Sequence, residues 1–292
     1  MFRPRRSALF MPGTNARAMD KARALDADVL IFDLEDSVAA DAKVGARDAI
    51  AAALQQGGYG ARELVLRVNG AETAWQRDDL AFAVTQPIDG VLIPKVQGGD
   101  EVRAVAAILD GSGAKPDLKI WCMMETPLAF LHAEAIASAS PRLAALVVGT
   151  EDLGKDLHTW PRPDRLPFLT ALQICVMAAR AYGLAPMDAV YPAFDDTDGF
   201  AASCRQGRDL GFEGRTLIHP KQIAIANDAF GPSADELAAA RRIVDAFAAA
   251  KAEGKGIASL DGKMVEHLHA TSAQRLLDMA AMIAARRAGV GS

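Results

Sequence analysis

No apolar run in this chain approaches the ~20 residues needed to cross a bilayer, and basic residues are not in excess. The opening MFRPRRSALFMPG carries positive charge, but its apolar run is about four long and stops at Pro-Gly, short of the roughly 7–15 of a secretory signal. A net charge of −5 and a pI near 5.6 argue against the basic surface that nucleic acid or an anionic membrane would require. Cysteine is sparse: Cys122, Cys175 and Cys204 are odd in number, scattered and without metal-ligand spacing, which fits unpaired thiols in a reducing compartment. Internal repeats are missing, as is low complexity beyond alanine enrichment in helical segments. These absences lead to an expectation of a soluble, cytoplasmic protein with no nucleic-acid and no membrane partner. What is present is 292 residues, half of them apolar, enough for one large α/β domain or a barrel with an appendage.

Short strand-like runs recur at Ala8–Met11, Val29–Phe32, Leu64–Val68, Gly90–Ile93, Ile120–Met124, Ala144–Val148, Ala189–Tyr191 and Thr216–Ile218. The segments between them, such as Ala16–Leu25, Ala39–Gln55 and Asp100–Leu109, are rich in Ala, Leu and charge. That alternation favours a parallel sheet, and eight units in about 220 residues predict a (β/α)8 TIM barrel. An open doubly wound sheet is the rival, although no G-x-G-x-x-G stands at a first strand–helix turn to support its dinucleotide version. After Ile225 the pattern changes. Pro232-Ser233 opens a helix over Ala234–Lys251, a Gly-rich loop (GKGIASLDGK) follows, and an amphipathic helix runs from about Met264 to Arg286. The expected organisation is a barrel over 1–230 and a C-terminal helical extension over 231–292.

Each strand-like run is followed by polar or ionisable residues: Pro12-Gly13, Asp33/Glu35/Asp36, Arg67/Asn69, Lys95, Glu125, Glu151/Asp152, Asp195/Asp196 and His219/Lys221. One charge after a strand is ordinarily a solvated loop; eight sets at the carboxyl ends of barrel strands would converge on one mouth. The stretch Ile120–Leu153 is the most informative. It reads as strand, helix opened by the cap Thr126-Pro127, and strand, with an acid after each strand. Glu125 and Asp152 then sit on adjacent strands, where two like charges about 4 Å apart repel by roughly 4 kcal/mol at an effective dielectric near 20. Such a pair needs a shared proton or a cation. With no neighbouring Cys or His, a hard ion such as Mg²⁺, keeping several waters and a substrate chelate, fits best. Helix capping is the plain alternative for either acid.

In Asp33-Leu34-Glu35-Asp36-Ser37 one member is expected to cap a helix that Ser37 signals, and another to hold metal-bound water or orient Arg67. Arg67 ends LVLRVN, and its planar fork suits a substrate carboxylate; an ion pair with Glu35 or Asp36 is its other role, and both are compatible. Lys95 could form a Schiff base in a metal-free aldolase, which would leave the carboxylate pair without a purpose. His219 could be an acid/base group, a cofactor contact or a structural hydrogen bond. Arg17 and Lys21 could bind phosphate, with a solvated helix face as the default.

Taken together, RSALFMPG, FDLEDSV, LRVNG, LIPKV, METP, GTEDL, VYPAF and IHPKQI resemble, in order and along essentially the whole chain, the citrate lyase β-subunit-like family of the HpcH/HpaI aldolase superfamily. The resemblance implies a metal site of Glu125 and Asp152 for Mg²⁺, with Mn²⁺ as a substitute. It implies substrate binding by Arg67, Glu125 and Glu151, and coenzyme A contacts from Phe10, Lys21, Ile218 and His219. Some relatives have arginine where this chain has Asn15, so Arg17 is expected to take over that phosphate contact. The catalytic set is Asp261, Arg67 and Asp36. Asp261, in SLDGKM, would reach a neighbouring subunit's site as base, although the Asp-Gly pair by itself signals only a turn. A homotrimer or homohexamer with shared sites is implied. The activity implied is Mg²⁺-dependent carbon–carbon lysis of a 3-hydroxyacyl-CoA (malyl-, β-methylmalyl- or citramalyl-CoA) into an acyl-CoA and a small 2-keto acid. The alternatives are a (3S)-malyl-CoA thioesterase, a β subunit of a larger citrate lyase assembly, and a CoA-independent aldolase.

Overall fold

Eight segments whose side chains are almost all buried form parallel strands: β1 (Ser7–Pro12), β2 (Val29–Asp33), β3 (Glu63–Arg67), β4 (Gly90–Ile93), β5 (Lys119–Met124), β6 (Leu143–Val148), β7 (Ala185–Asp188) and β8 (Gly214–Leu217). The computed structural model, which describes residues 3–290 and their side chains through Arg286, pairs each strand with the next and β8 with β1. The result is a closed eight-stranded barrel, as expected for a TIM barrel. Strands covered on both faces need continuous apolar runs rather than alternation, which is why VLIF and LAALVV were legible.

Within the barrel, Ala8, Val29, Ile31, Val65, Leu92, Trp121, Met123, Val147 and Met187 pack as an inner core. A larger core lies between the strands and the surrounding helices. The amino-terminal end of the barrel is closed by Arg5, whose guanidinium lies 5.0 Å from the Trp121 ring centroid and forms two bonds to Glu63 at 2.7 and 2.8 Å. The carboxyl-terminal end carries the site.

The structure corrects three expected elements. The seventh strand is Ala185–Asp188, not Ala189–Tyr191. APMD has neither the composition nor the alternation of a strand, and its fully buried Asp188 is tolerated because Arg165 Nη1 reaches both its oxygens at 2.8 Å and Arg215 of β8 lies at 4.0 Å. The helix after β2 starts at Lys43, behind a short 3₁₀ turn Ala40–Ala42, so Ser37 caps no helix; its hydroxyl and N–H instead turn back onto Asp33. Between β5 and β6 there are two short helices, Pro127–Leu131 and Ala133–Ala137, in place of one. The first is capped as expected, with Thr126 Oγ1 accepting from Ala129 N–H at 3.1 Å.

By its internal contacts the chain divides into two compact units: Arg5–Phe230, which holds the barrel, and a second unit from Gly231 onward that also takes in Arg3 and Pro4. In the second unit the helix Ala234–Ala252 opens with a capping box, Ser233 and Glu236 each accepting the other's N–H. The Gly-rich stretch folds into a hairpin of β9 (Ala258–Leu260) and β10 (Lys263–Val265), where a plain loop was expected. Asp261 and Gly262 make its two-residue turn at φ 52° and 74°, the left-handed pair that such hairpins require. A long helix, His267–Val290, follows and packs along Ala234–Ala252. Among the described residues no helix is long and apolar enough to cross a membrane.

Candidate active site

A cavity of about 400 Å³ opens at the carboxyl ends of the strands, lined by residues of β1, β2, β3, β5, β6 and β8 and of the segments after β2, β5, β6, β7 and β8. Asp33, Asp36, Arg67, Glu125, Glu151 and Asp152 are its ionisable lining; Phe10, Met123, Val148 and Ile218 are its apolar lining. Seven of the expected site residues therefore share one space: Phe10, Asp36, Arg67, Glu125, Glu151, Asp152 and Ile218. A second cavity of about 510 Å³ adjoins the first through Asp152 and is bordered by Lys95, Glu72, Glu101 and Thr126.

Two glycines make room for this arrangement. A Cβ at Gly13 would lie 2.7 Å from the Asp33 carbonyl, to which Gly13 N–H donates at 2.8 Å. A Cβ at Gly149 would lie 2.6 Å from Glu125 Oε2. Each is a close approach that no side chain survives.

On the β2–β3 side the charges are paired. Arg67 donates from Nε and Nη2 to the two oxygens of Asp33, both at 2.7 Å, and its Nη1 stands 2.9 Å from Glu35 Oε2. That last contact satisfies charge but not direction, since the buried Oε2 accepts no hydrogen bond. Its guanidinium also lies 4.6 Å from the Phe10 ring centroid. Burial works against charge in Asp33, but the bonds from Arg67 and Ser37 prevail and hold its carboxyl below the ordinary range. Burial likewise opposes the Arg67 cation, and the hydrogen bonds and charge of Asp33 outweigh it, so Arg67 stays protonated. Glu35 is the exception. Burial pushes its carboxyl up, with Asp36 adding repulsion, despite Arg67 and Lys95.

The β5–β6 side is different. Glu125 is 3 % exposed, and Lys95 N–H donates to its Oε1 at 2.7 Å, the one hydrogen bond its carboxylate makes among the described residues. Burial pushes the Glu125 carboxyl up to about 7, and repulsion from Glu35 and Asp152 adds to it, against the Lys95 N–H and Arg67. Glu151 and Asp152 stand in the first turn of the helix Thr150–Asp156, where the macrodipole favours acids. Asp152 is half-buried, and among the described residues its one ion-pair partner is Lys155 at 4.0 Å.

A cation fits here on the chemistry of the donors. No group of three or more His, Cys, Asp or Glu gathers as a metal site among the described residues, so the protein offers two hard carboxylates and no soft ligand. That set suits Mg²⁺, which keeps waters and takes one or two carboxylates. Lys95 is no Schiff-base candidate: its ammonium bonds to Glu35 and lies 3.4 Å from Asp36, which raises its affinity for the proton despite burial.

Other expected residues lie elsewhere. His219 does not line the cavity; it stacks on Phe194 with centroids 4.8 Å apart, and its Nδ1 accepts from Lys221 N–H. Arg17 and Lys21 are exposed on the helix Ala16–Ala22, outside the cavity lining. Asp195 pairs with Lys221 and Asp196 caps the helix Thr197–Leu210, so neither reaches the mouth; with β7 ending at Asp188 they are too far along the loop. Asn69 is spent on Asp79. Asp261, at the hairpin turn, receives Arg242 of its own unit at 2.6 and 2.8 Å and remains exposed. Sequence reasoning missed the Lys95 N–H and Gly149, and named Asp33 without its bidentate hold on Arg67. The LEDS run after β2 was the available signal for the last.

Comparison with known proteins bears on what this mouth does. A (3S)-malyl-CoA thioesterase of Cereibacter sphaeroides is 49% identical, over 97% of this chain and 96% of that protein. The L-malyl-CoA/beta-methylmalyl-CoA lyase of the same organism is 35% identical, over 97% and 96%. The crystal structure of the Mycobacterium tuberculosis protein CitE in complex with magnesium, acetoacetate and coenzyme A superposes with a TM-score of 0.76 at 29% identity, over 94% of this chain and 97% of that one. The expectation of a carbon–carbon lyase is thereby overturned. Thioesterases from several strains match at 48–49%, well above the lyase at 35%, and a shared fold does not by itself separate the two reactions. The family model for HpcH/HpaI aldolase/citrate lyase matches residues 6–220, nearly the whole barrel, and the chain belongs to that family.

Proposed function

We propose that the protein is a thioesterase that hydrolyses a malyl-CoA-type thioester to the free hydroxy acid and coenzyme A. The observation that carries this is the 49% identity, along nearly the full length of both chains, to a (3S)-malyl-CoA thioesterase. The cavity chemistry supports it. Arg67 has five N–H donors, of which three face Asp33 and Glu35; the remaining two can take the malyl carboxylate as a fork. Glu125 and Asp152 would hold Mg²⁺, and Mn²⁺ in its place. When bound, the ion supplies Lewis acidity and balances negative charge that develops on the substrate.

Glu151, at the rim, accepts the substrate hydroxyl, and Asp36, exposed beside Lys95, positions the attacking water. Phe10 and Ile218 give the thioester arm an apolar seat, and the coenzyme A contacts assigned to His219, Arg17 and Lys21 would lie outside the cavity lining, with Arg17 and Lys21 exposed on their helix to meet the phosphates. The hydrolysis forms one C–O bond from water and breaks the C–S bond, the proton passing to the departing thiolate. Asp261 of a second copy, on its exposed hairpin turn, is the base that takes the water proton in a homotrimer or homohexamer. Purified enzyme incubated with (3S)-malyl-CoA is expected to release free thiol and malate in equal amounts, and chelation by EDTA to stop it. Glyoxylate and acetyl-CoA as products would overturn the reading. Asp261→Asn with undiminished turnover would remove the base.

A further inference from the structure

Four non-glycine residues among those described have positive φ, and Lys95, at 51°, stands beside the metal-binding carboxylates proposed above. It follows Pro94 at the end of β4. Lysine has none of the Asn or Asp chemistry that makes this backbone region tolerable, so the conformation is imposed by surroundings rather than chosen locally. Its consequence is geometric. The left-handed turn aims the Lys95 N–H at Glu125 Oε1, 2.7 Å away, while the side chain runs along the adjoining cavity and brings Nζ to Glu35 and to Asp36 at 3.4 Å.

We propose that Lys95 is a positioning residue with two separable tasks. Its N–H ties one oxygen of Glu125, which fixes the carboxylate and leaves the other oxygen for the cation. Its ammonium supplies Glu35 and Asp36 with a cation of their own, so that Arg67 keeps two donors for the substrate carboxylate. The inference rests on the proposed cation site. Losing an outer partner that orients a metal ligand typically costs about 10–100-fold in metal affinity or activity.

Three variants separate the tasks. Lys95→Gly keeps the left-handed backbone and the N–H but removes the ammonium; Lys95→Val resists that backbone; Lys95→Arg restores a cation. Calorimetric titration with Mg²⁺ alone is expected to show affinity near wild type for Lys95→Gly and Lys95→Arg, and a loss of about tenfold or more for Lys95→Val. Steady-state kinetics are expected to show a raised KM for malyl-CoA in Lys95→Gly, recovered in Lys95→Arg. Equal Mg²⁺ affinity in Lys95→Val and wild type, or an equal loss in Lys95→Gly and Lys95→Val, overturns the backbone task. Should Lys95→Val not fold, a large loss of affinity in Lys95→Gly overturns it as well. An unchanged KM in Lys95→Gly overturns the ammonium task. Wild-type enzyme that binds no Mg²⁺ brings down the cation site and this inference with it, an outcome distinct from all the others.

Discussion

The two sides of the barrel mouth handle buried acid in opposite ways. At β2–β3, Asp33 and Glu35 meet Arg67 and Lys95, so the charge is answered by the protein itself. At β5–β6, Glu125 receives one backbone N–H and Asp152 a distant, exposed lysine. A buried charge without a partner costs several kcal/mol in real proteins, so the second side is poised for something from outside. The first side is a structural fixture that also presents donors. The lesson is that carboxylates a few residues from strand ends are not equivalent: their partners sort them into scaffold and site.

That contrast can be broken most severely at Arg67. Arg67→Ala leaves Asp33 and Glu35 buried without their shared cation and is expected to lower stability by about 3–5 kcal/mol while removing activity, by urea unfolding and thiol-release assay. Next comes Asp33→Asn, expected to lower stability at pH 7 by about 2–3 kcal/mol. Because the folded state depresses the Asp33 carboxyl, its stabilisation is present above the unfolded value near 3.8 and fades as pH falls through the lower folded value. The gap between wild type and Asp33→Asn should therefore narrow as pH falls below the unfolded value near 3.8.

On the other side the sign reverses. The raised Glu125 carboxyl penalises the ion-free fold as pH rises through about 7, and Glu125→Gln keeps an acceptor for the Lys95 N–H. In EDTA at pH 8 this variant is expected to be more stable than wild type by on the order of 2 kcal/mol, with the difference vanishing as pH falls below the unfolded value near 4.5 and no Mg²⁺-induced rise in Tm. A stability loss at Arg67 and a gain at Glu125 would establish the contrast; losses at both would erase it. The smallest effect is expected at Asp36→Asn, where an exposed ion pair contributes about 0–1 kcal/mol; thermal melting should be near wild type while turnover falls.

Much of this was legible because the information is local. Six of the eight strands announce themselves as apolar runs closed by polar residues, and Thr126-Pro127 declares a helix start. β7 did not, because Asp188 becomes acceptable only through Arg165 and Arg215, partners 23 and 27 residues away. The Ser37 cap failed for a related reason: Asp33 had already engaged its hydroxyl to shape the grip on Arg67. The carboxylates of the site could be named from position alone, but their states could not, since nothing in a lysine codon foretells a left-handed turn. Hydrolysis against carbon–carbon cleavage was also invisible, because this chain is similar along nearly its whole length to proteins named for each.

Gly149 carries a consequence for anyone redesigning the substrate range. With 2.6 Å between a would-be Cβ and Glu125 Oε2, even the smallest replacement evicts the carboxylate, whereas Ile218, exposed at the rim, has space to vary. A library built for new acyl groups should therefore freeze its glycines and randomise its greasy rim, the reverse of the habit of treating glycine as filler.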